Sequence, residues 1–521
     1  MARLVPNRSL PRSVWTRFRR DQHGGLAAPL ALLLPVLMGF TMLAIDGGRY
    51  LNLHTSVQAG ADALALAGAA ELDGRPDALT RADRAVRNLV SNQQRLGEGA
   101  SAIAGSSVQL RFLSGLPAQD GAAIDASYVT TDPALAKFVE VTAQTVGFRS
   151  VFAAAAQVTG GPTEARASRA VAGFESIACK ASPLFMCNPF ERTGTNLFTA
   201  MRDPANRRRL IAMKEKDTKY FPGNFGYLQP AVGSGAGDIR DALGMAEPKG
   251  CYKQSGVELR TGAISSTAEA MNTRFDIYEG PMNGSANDVD FRPALNVRKG
   301  FKSKNGVCNG QAEAYDFDTA PGTIVKERQS AGKALEAMPL PRDDCFYQSA
   351  GCTFGGTAMQ GRIGSGQWDV ETYWKVTYNT TPPNGWTNAD PPSRYEAYRY
   401  EIENAAGLAK KAAVGINNGS GNVTEYGSPQ CYKKPMPSPA EETVDRRVFY
   451  GAILDCQALD ERYGISGGSS PPLPVTAFGK FFVTEPVDKN EGTVWVELVD
   501  IVEPGTAGAK GIVHDIVRLH R

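Results

Sequence analysis

Residues 26–45 read LAAPLALLLPVLMGFTMLAI, twenty positions without a charge. About twenty apolar residues in a helix cover the ~30 Å of hydrocarbon in a bilayer. Pro29 and Pro35 lie inside the run. A membrane helix tolerates both, because local adjustment re-satisfies the freed carbonyls. A cleaved secretory signal would carry an apolar core of only about 7–15 residues and then a small-x-small site. Here the run is longer, and Asp46-Gly47-Gly48-Arg49-Tyr50 follows it. The reading is an uncleaved anchor. Its orientation comes from Arg3, Arg8, Arg12, Arg17, Arg19 and Arg20, set against the single acid Asp21. Positive charge flanking a first span stays in the cytoplasm. Residues 1–25 are thus expected as a basic cytoplasmic tail and 26–45 as the transmembrane helix. Everything from Asp46 on is expected outside the cytoplasm, in a chain that crosses the membrane once.

The eight cysteines agree with that topology. Cys179, Cys187, Cys251, Cys308, Cys345, Cys352, Cys431 and Cys456 all lie beyond the span. An even count in an oxidising compartment reads as disulfides. Nearness in sequence suggests Cys179–Cys187 and Cys345–Cys352, and the same proximity would then pair Cys251 with Cys308 and Cys431 with Cys456, one of the 105 connectivities that eight cysteines allow. Their spacings are not those of a zinc knuckle. The net charge of +2 gives no reason to expect nucleic acid as a partner.

After the span, Tyr50 to Leu72 reads YLNLHTSVQAGADALALAGAAEL, rich in alanine and leucine and free of proline. It is expected to continue the membrane helix after a flexure at Gly47-Gly48. Val57, Ala61, Leu64 and Gly68 make a small-residue stripe that lets another helix approach closely. That helix could be the chain's own Arg81–Leu96 segment or one from another subunit, and the spacing does not choose. Ser107–Leu113 and Lys137–Phe148 alternate apolar with polar residues, as half-buried strands do. Residues 46–175 thus read as one small α+β module.

Beyond it lysine, cysteine, asparagine and proline become more frequent. Residues 176–475 are expected as a disulfide-bearing extracytoplasmic domain, with helices at Thr195–Met213 and Glu396–Ala413. Residues 476–521 read as a C-terminal β segment with strands at Phe478–Val487, Gly492–Glu503 and Gly511–Leu519. The fold class is α+β: an N-terminal transmembrane helix running into an extracytoplasmic helix, then a mixed α+β, disulfide-containing region.

Several groupings carry residue types that chemistry uses. Gly464-Ile465-Ser466-Gly467-Gly468 matches the G-x-S-x-G elbow of hydrolases, and Asp500 and His514 follow in the matching order. The elbow needs a helix after the serine, and Pro471-Pro472 opposes one. His514 and His520 lack a third metal ligand. Asp288/Asp290 and Asp316/Asp318 offer too few oxygens for calcium. Gly233–Gly237 lacks the strand and lysine of a phosphate loop. No catalytic, cofactor or metal residue is assigned, and no enzyme activity is expected. At the membrane exit Asp46 and Arg49 are placed to pair with each other or with headgroups. Asp62 needs water or a partner to offset its apolar helix.

Three words occur in order along the N-terminal region: RFRRDQHGGLAAPLALLLPVL, AIDGGRYLNL and QAGADALALAGAAEL. This series resembles the N-terminal module of the Tad pilus-assembly proteins, the TadE/TadG-like group of the Flp pilus system. FVEVTAQTV (138–146), ASRAVAGF (167–174), CKASPLFMCNPFE (179–191) and FGKFFVTEPV (478–487) are similar to later pieces of TadG-like proteins. The resemblance implies an inner-membrane anchor with a periplasmic domain. Its partners would be the bilayer and other Tad/Flp assembly proteins, with homo-oligomerisation left open. The chain departs from the family twice. It has no D-x-S-x-S adhesion motif, since Asp125-Ala126-Ser127-Tyr128-Val129 fails at the last position. The fifth residue after Gly25 is Leu30, where prepilin-like members have glutamate. A membrane-tethered serine hydrolase centred on Ser466 and an envelope scaffold or adhesin unrelated to pili are the other readings.

The topology makes a prediction. A reporter active only outside the cytoplasm, fused after Lys180, is expected to be active, and the protein is expected to resist carbonate extraction. A soluble, cleaved product would contradict the anchor.

Overall fold

The computed structural model describes residues 27–73, 75–88, 92–93, 102–103, 108–117, 122–133, 135–143, 146–147, 151–152, 164–165, 167–216, 218–260, 266–300, 317–331, 338–356, 360–408, 415–417, 422–424, 427–436, 445–467, 471–502 and 512–520. The arginines of the N-terminal tail, Cys308 and Asp316 lie outside these residues. The elements that carry the account are, in chain order, α1 (Ala27–Ala69), α2 (Ala78–Asn88), β1 (Gln109–Leu113), β2 (Phe138–Ala143), β3 (Ser168–Cys179), β4 (Leu184–Cys187), β5 (Leu210–Glu215), β6 (Asn224–Leu228), α3 (Ala236–Gly244), β7 (Cys251–Lys253), β8 (Leu259–Arg260), α4 (Thr267–Asn272), α5 (Val370–Tyr378), α6 (Arg394–Glu403), β9 (Val448–Leu454), α7 (Cys456–Tyr463), β10 (Ala477–Val483), β11 (Val494–Val502) and β12 (Val513–Leu519). The chain divides into two compact units, one of residues 1–174 with 517–521 and one of 175–516.

The first unit packs the second half of α1 and α2 on an antiparallel sheet. The sheet order is β7, β3, β2, β1, and β12 pairs with β3 beside that path. Leu53, Val57, Ala61, Leu64, Ala65 and Ala69 line one face of α1, at the three- and four-residue steps of a buried helical stripe. They meet Ala82 and Val86 of α2 and the inward residues of the sheet, Val139, Val141, Ala170 and Ala172. Gly68 fits because it has no side chain: a Cβ there would lie 2.8 Å from Val86 Cγ2. The turn after α1 is fixed by Arg81, whose guanidinium pairs with Asp73 at 2.6 Å and Asp77 at 3.2 Å. On the sheet's outer face Glu140 of β2 sits between Arg111 of β1 and Arg169 of β3.

In the second unit six strands close into a ring. The order is β6, β4, β9, β10, β11, β5, and β5 returns to pair with β6. The β4–β9 and β5–β6 pairs are parallel and the others antiparallel. A barrel of so few strands leaves room only for side chains inside. Leu184, Met186, Ile211, Met213, Phe225, Tyr227, Ile453, Phe481, Val483, Val496 and Leu498 belong to that core, together with apolar residues of α3 and α4. Alternate residues of the same strands, such as Phe185, Ala452, Leu454 and Phe478, face a separate cluster on the other side. Closure removes the exposed edges that a flat sheet would carry.

The strand at β5 corrects an expectation. Thr195–Met213 is not one helix. Short helices at Leu197–Ala200 and Pro204–Arg207 give way to the strand. Leu210, Ile211, Ala212 and Met213 are buried in succession, because both faces of the strand are covered. A continuous apolar run of that length does not separate strand from helix by periodicity. The 396–413 helix is real but shorter: α6 ends at Glu403, a short helix Ala405–Leu408 follows, and 409–413 lie outside the described residues.

The disulfides follow topology rather than nearness in sequence. Cys179 bonds Cys251, Cys187 bonds Cys456, and Cys345 bonds Cys352. Only the last was expected. Cys179 lies opposite Cys251 in the β3–β7 register. Cys187 lies opposite Leu454 in the β4–β9 register, two residues before Cys456.

The long connection between β6 and β9 holds α3 to α6, and buried charge ties it to the barrel. Glu497 of β11 points at the start of α6 and accepts from the Arg394 and Tyr395 amides at 2.9 and 3.1 Å. A helix N-terminus presents such free amides and favours an anion. The Arg394 guanidinium, fully buried, donates to Glu497 at 2.8 Å, to Asp343 at 2.6 Å and to the Pro341 carbonyl at 2.6 Å. The second oxygen of Asp343 accepts from the amides of Leu210 and Gly366. Gly364 leaves room for it, since a Cβ there would lie 1.9 Å from that oxygen. Two more buried guanidiniums have helix carbonyls for partners. Arg446 donates to Gly244 and Met245 at the end of α3, and Arg274 to Leu243. The negative end of the helix offsets their charge.

Burial raises several carboxyls, two of them toward neutrality. Glu497 moves from 4.5 up to about 7, against the pull of Arg394. Asp344 moves from 3.8 up to about 6, through burial first and then the charges of Asp369 and Asp343. The folded chain therefore keeps protons that the unfolded chain releases. Their contribution is complete below about pH 4 and is lost as pH rises to about 7. The thermal midpoint of the full chain in detergent is expected to fall over that interval, and Glu497→Gln to flatten the fall. An unchanged slope in the variant would refute the assignment.

Candidate functional site

The first half of α1 is the most unusual surface of the described chain. Leu30, Leu32, Leu33, Leu34, Val36, Leu37, Met38, Phe40 and Ile45 are all exposed. Scattered single apolar residues are ordinary on a surface, but a contiguous run on every side of one helix is not. This is the one helix among the described residues that is long and apolar enough to cross a membrane, and its most apolar stretch is buried nowhere in the molecule. The expected flexure is absent: α1 passes through Gly47 and Gly48 as one helix of 43 residues. The same helix is therefore bare over residues 29–41 and at Ala44 and Ile45, and is the central core element of the first unit from Leu53 on.

Two acids sit along it. Asp46 closes the bare half. Its carboxylate accepts from the amides of Val151 at 3.0 Å and Phe152 at 3.2 Å. Asp62 accepts from Gln58 Nε2 at 2.7 Å, one turn earlier, and Gln58 also donates to the Arg169 carbonyl. Asp62 is thus joined to the chain's own surface. The stripe of Val57, Ala61, Leu64 and Gly68 is likewise used within the chain. Of the two openings the spacing allowed, the structure takes the internal one, with α2 and the sheet as partners.

The residues weighed for chemistry do not converge. Ser466 lies in a short 3₁₀ turn, Ile465–Gly467, that follows helix α7 rather than a strand. Its amide donates to Asp460 at 2.7 Å, and its carbonyl accepts from Lys216 Nζ. Lys216 also lies over the ring of Tyr220, whose hydroxyl burial pushes up to about 12. Asp500 is exposed on β11 opposite Lys480, and His514 is exposed on β12. Among the described residues no hydrogen bond joins Ser466, Asp500 and His514. His520 packs the edge of its ring on Phe138, and its amide donates to the Val171 carbonyl at 2.8 Å. Asp288 accepts from the amide of Asp290, and Asp318 pairs with Arg342. In the glycine-rich loop Asp238 accepts from the amides of Ser234 and Gly235, so the start of α3 is capped by its own side chain. No group of three metal-capable side chains forms among the described residues.

Sequence reasoning missed the Asp46 bonds and the Glu497–Arg394–Asp343 network. The first joins residues more than a hundred apart. The second had one local signal, Ser393-Arg394-Tyr395-Glu396, a capping box that marks where α6 begins.

No curated protein and no solved structure matches the chain. One family model does: over residues 24–71, the apolar run and the helix that continues it, the chain matches Tad, the Flp pilus-assembly TadE/G-like family.

Proposed function

We propose that this protein is a membrane-anchored component of Flp/Tad-type pilus assembly. The carrying observation is that the Tad match falls on the helix that is bare in its first half and packed in its second. The bare half holds the chain in the inner membrane. The arginine-rich residues 1–25 stay in the cytoplasm, and the disulfide-bearing remainder stands in the periplasm. Reduced cytoplasm would not keep three such bonds, which supports that side for the second unit.

The role is mechanical. The first unit is rooted in the anchor through the packed second half of α1, and the second unit is the part that other proteins of the pilus machine contact. Closed strands, buried ion pairs and disulfides give that unit the stiffness that anchoring or stabilising a pilus requires. Nothing in this role calls for a catalytic residue.

The test is a clean deletion of the gene, with piliation and surface attachment as readouts. Loss of pili is expected, restored by the intact chain. A chain whose residues 26–45 are replaced by a cleaved secretion signal is expected not to restore them. Normal pili and normal attachment in the deletion strain would overturn the proposal.

A further inference from the structure

We infer that the turn at Val151-Phe152 is a second membrane contact of the chain, seated in the lipid headgroup region beside α1 and held there by Asp46. The inference rests on reading residues 26–45 as a membrane span. It adds a site of lipid contact more than a hundred residues from that span.

The position of the turn follows from helix geometry. At about 1.5 Å per residue, twenty residues from Leu26 rise ~30 Å, so the hydrocarbon boundary falls at Ile45 and Asp46. A helical side chain leans toward the N-terminus of its helix. The Asp46 carboxylate therefore reaches back toward the bilayer, not away from it. Both of its oxygens are engaged there, Oδ1 by the Val151 amide at 3.0 Å and Oδ2 by the Phe152 amide at 3.2 Å. The two amides are fixed at the level of the boundary or on its lipid side.

The chemistry of the turn suits that level. Val151 is 53 % exposed, and Phe152 is half-buried. Apolar side chains held at the headgroup boundary bury themselves roughly 5–10 Å into it. A lone carboxylate at that depth is costly unless it is hydrogen-bonded, and the two amides satisfy it. The pairing is mutual: the turn shelters the acid, and the acid holds the turn at the lipid. Tyr50, one helical turn beyond Asp46, is the kind of aromatic that favours this interface. The occupant assigned to the exposed Val151 surface is thus the bilayer itself, continuous with the bare face of α1.

The experiment places a nitroxide label at Val151→Cys in the full chain. The chain is reconstituted in nanodiscs of phosphatidylethanolamine and phosphatidylglycerol. None of the described native cysteines is free to compete for the label, and Val151 is exposed enough to be replaced without disturbing a core. Accessibility to oxygen and to a water-soluble nickel chelate is read by power saturation. Val36→Cys serves as the reference inside the span. The expected result is loss of nickel accessibility at 151, with a depth shallower than at 36, and recovery of that accessibility when Asp46→Ala is added. Full nickel accessibility at 151 with a lipid-buried label at 36 would overturn the inference and leave the anchor standing. Nickel accessibility at 36 would overturn the anchor and the inference together. Protection at 151 that survives Asp46→Ala would overturn the role given to Asp46.

Discussion

One helix that is exposed in its first half and packed in its second is the constraint from which the rest follows. Over residues 29–41, and again at Ala44 and Ile45, α1 leaves its side chains exposed on every side, on a helix long and apolar enough to cross a membrane. From Leu53 it carries apolar side chains on one face only, which a folded unit in water requires. The change takes place within two turns and without a break, through Asp46, Gly47, Gly48 and Arg49. An unbroken helix is stiff, so the first unit takes its direction from the anchor. Gly68 and the alanines of the stripe let the sheet and α2 approach closely enough to make that joint solid.

In the second unit the corresponding constraint is closure. Six strands that pair into a ring have no free edge, and their interior must be filled. The long connection between β6 and β9 is then attached by charge. Arg394 and Glu497 both lie out of water, so each depends on the other, and on Asp343 and the α6 amides, for its hydrogen bonds. A buried pair of this kind is a poor source of net stability, and breaking it by removing one partner is costly. Its value here is location, since the network fits together only with the start of α6 docked on β11.

What the sequence made legible was what short stretches encode. The apolar run, the alanine-rich helix beyond it, the strand within 107–113 and the three C-terminal strands stand where their patterns put them, though the first of these three ends at Val483; of 137–148, Phe138–Ala143 forms the strand and Val146–Gly147 pairs in a separate two-stranded sheet. The misreadings came from long-range pairing. Leu210–Met213 read as helix because burial on both faces erases alternation. The cysteines were joined by nearness, whereas strand registers join Cys179 to Cys251 and Cys187 to Cys456. The Gly47-Gly48 pair suggested a flexure, yet two glycines cost a helix only about 2 kcal/mol. Packing of the flanking segment outweighs that. The candidate site was half legible: Asp46 stood out as the charge ending the span, but its partners 105 and 106 residues away did not.

The most direct test of a single helix shared by lipid and protein is amide hydrogen exchange on the full chain in nanodiscs, resolved along residues 27–72. The account predicts protection that runs without interruption from the bare half through Asp46–Tyr50 into the packed half. Fast exchange confined to Asp46–Tyr50, between two protected segments, would mean a hinge. It would contradict the claim that the anchor sets the direction of the first unit.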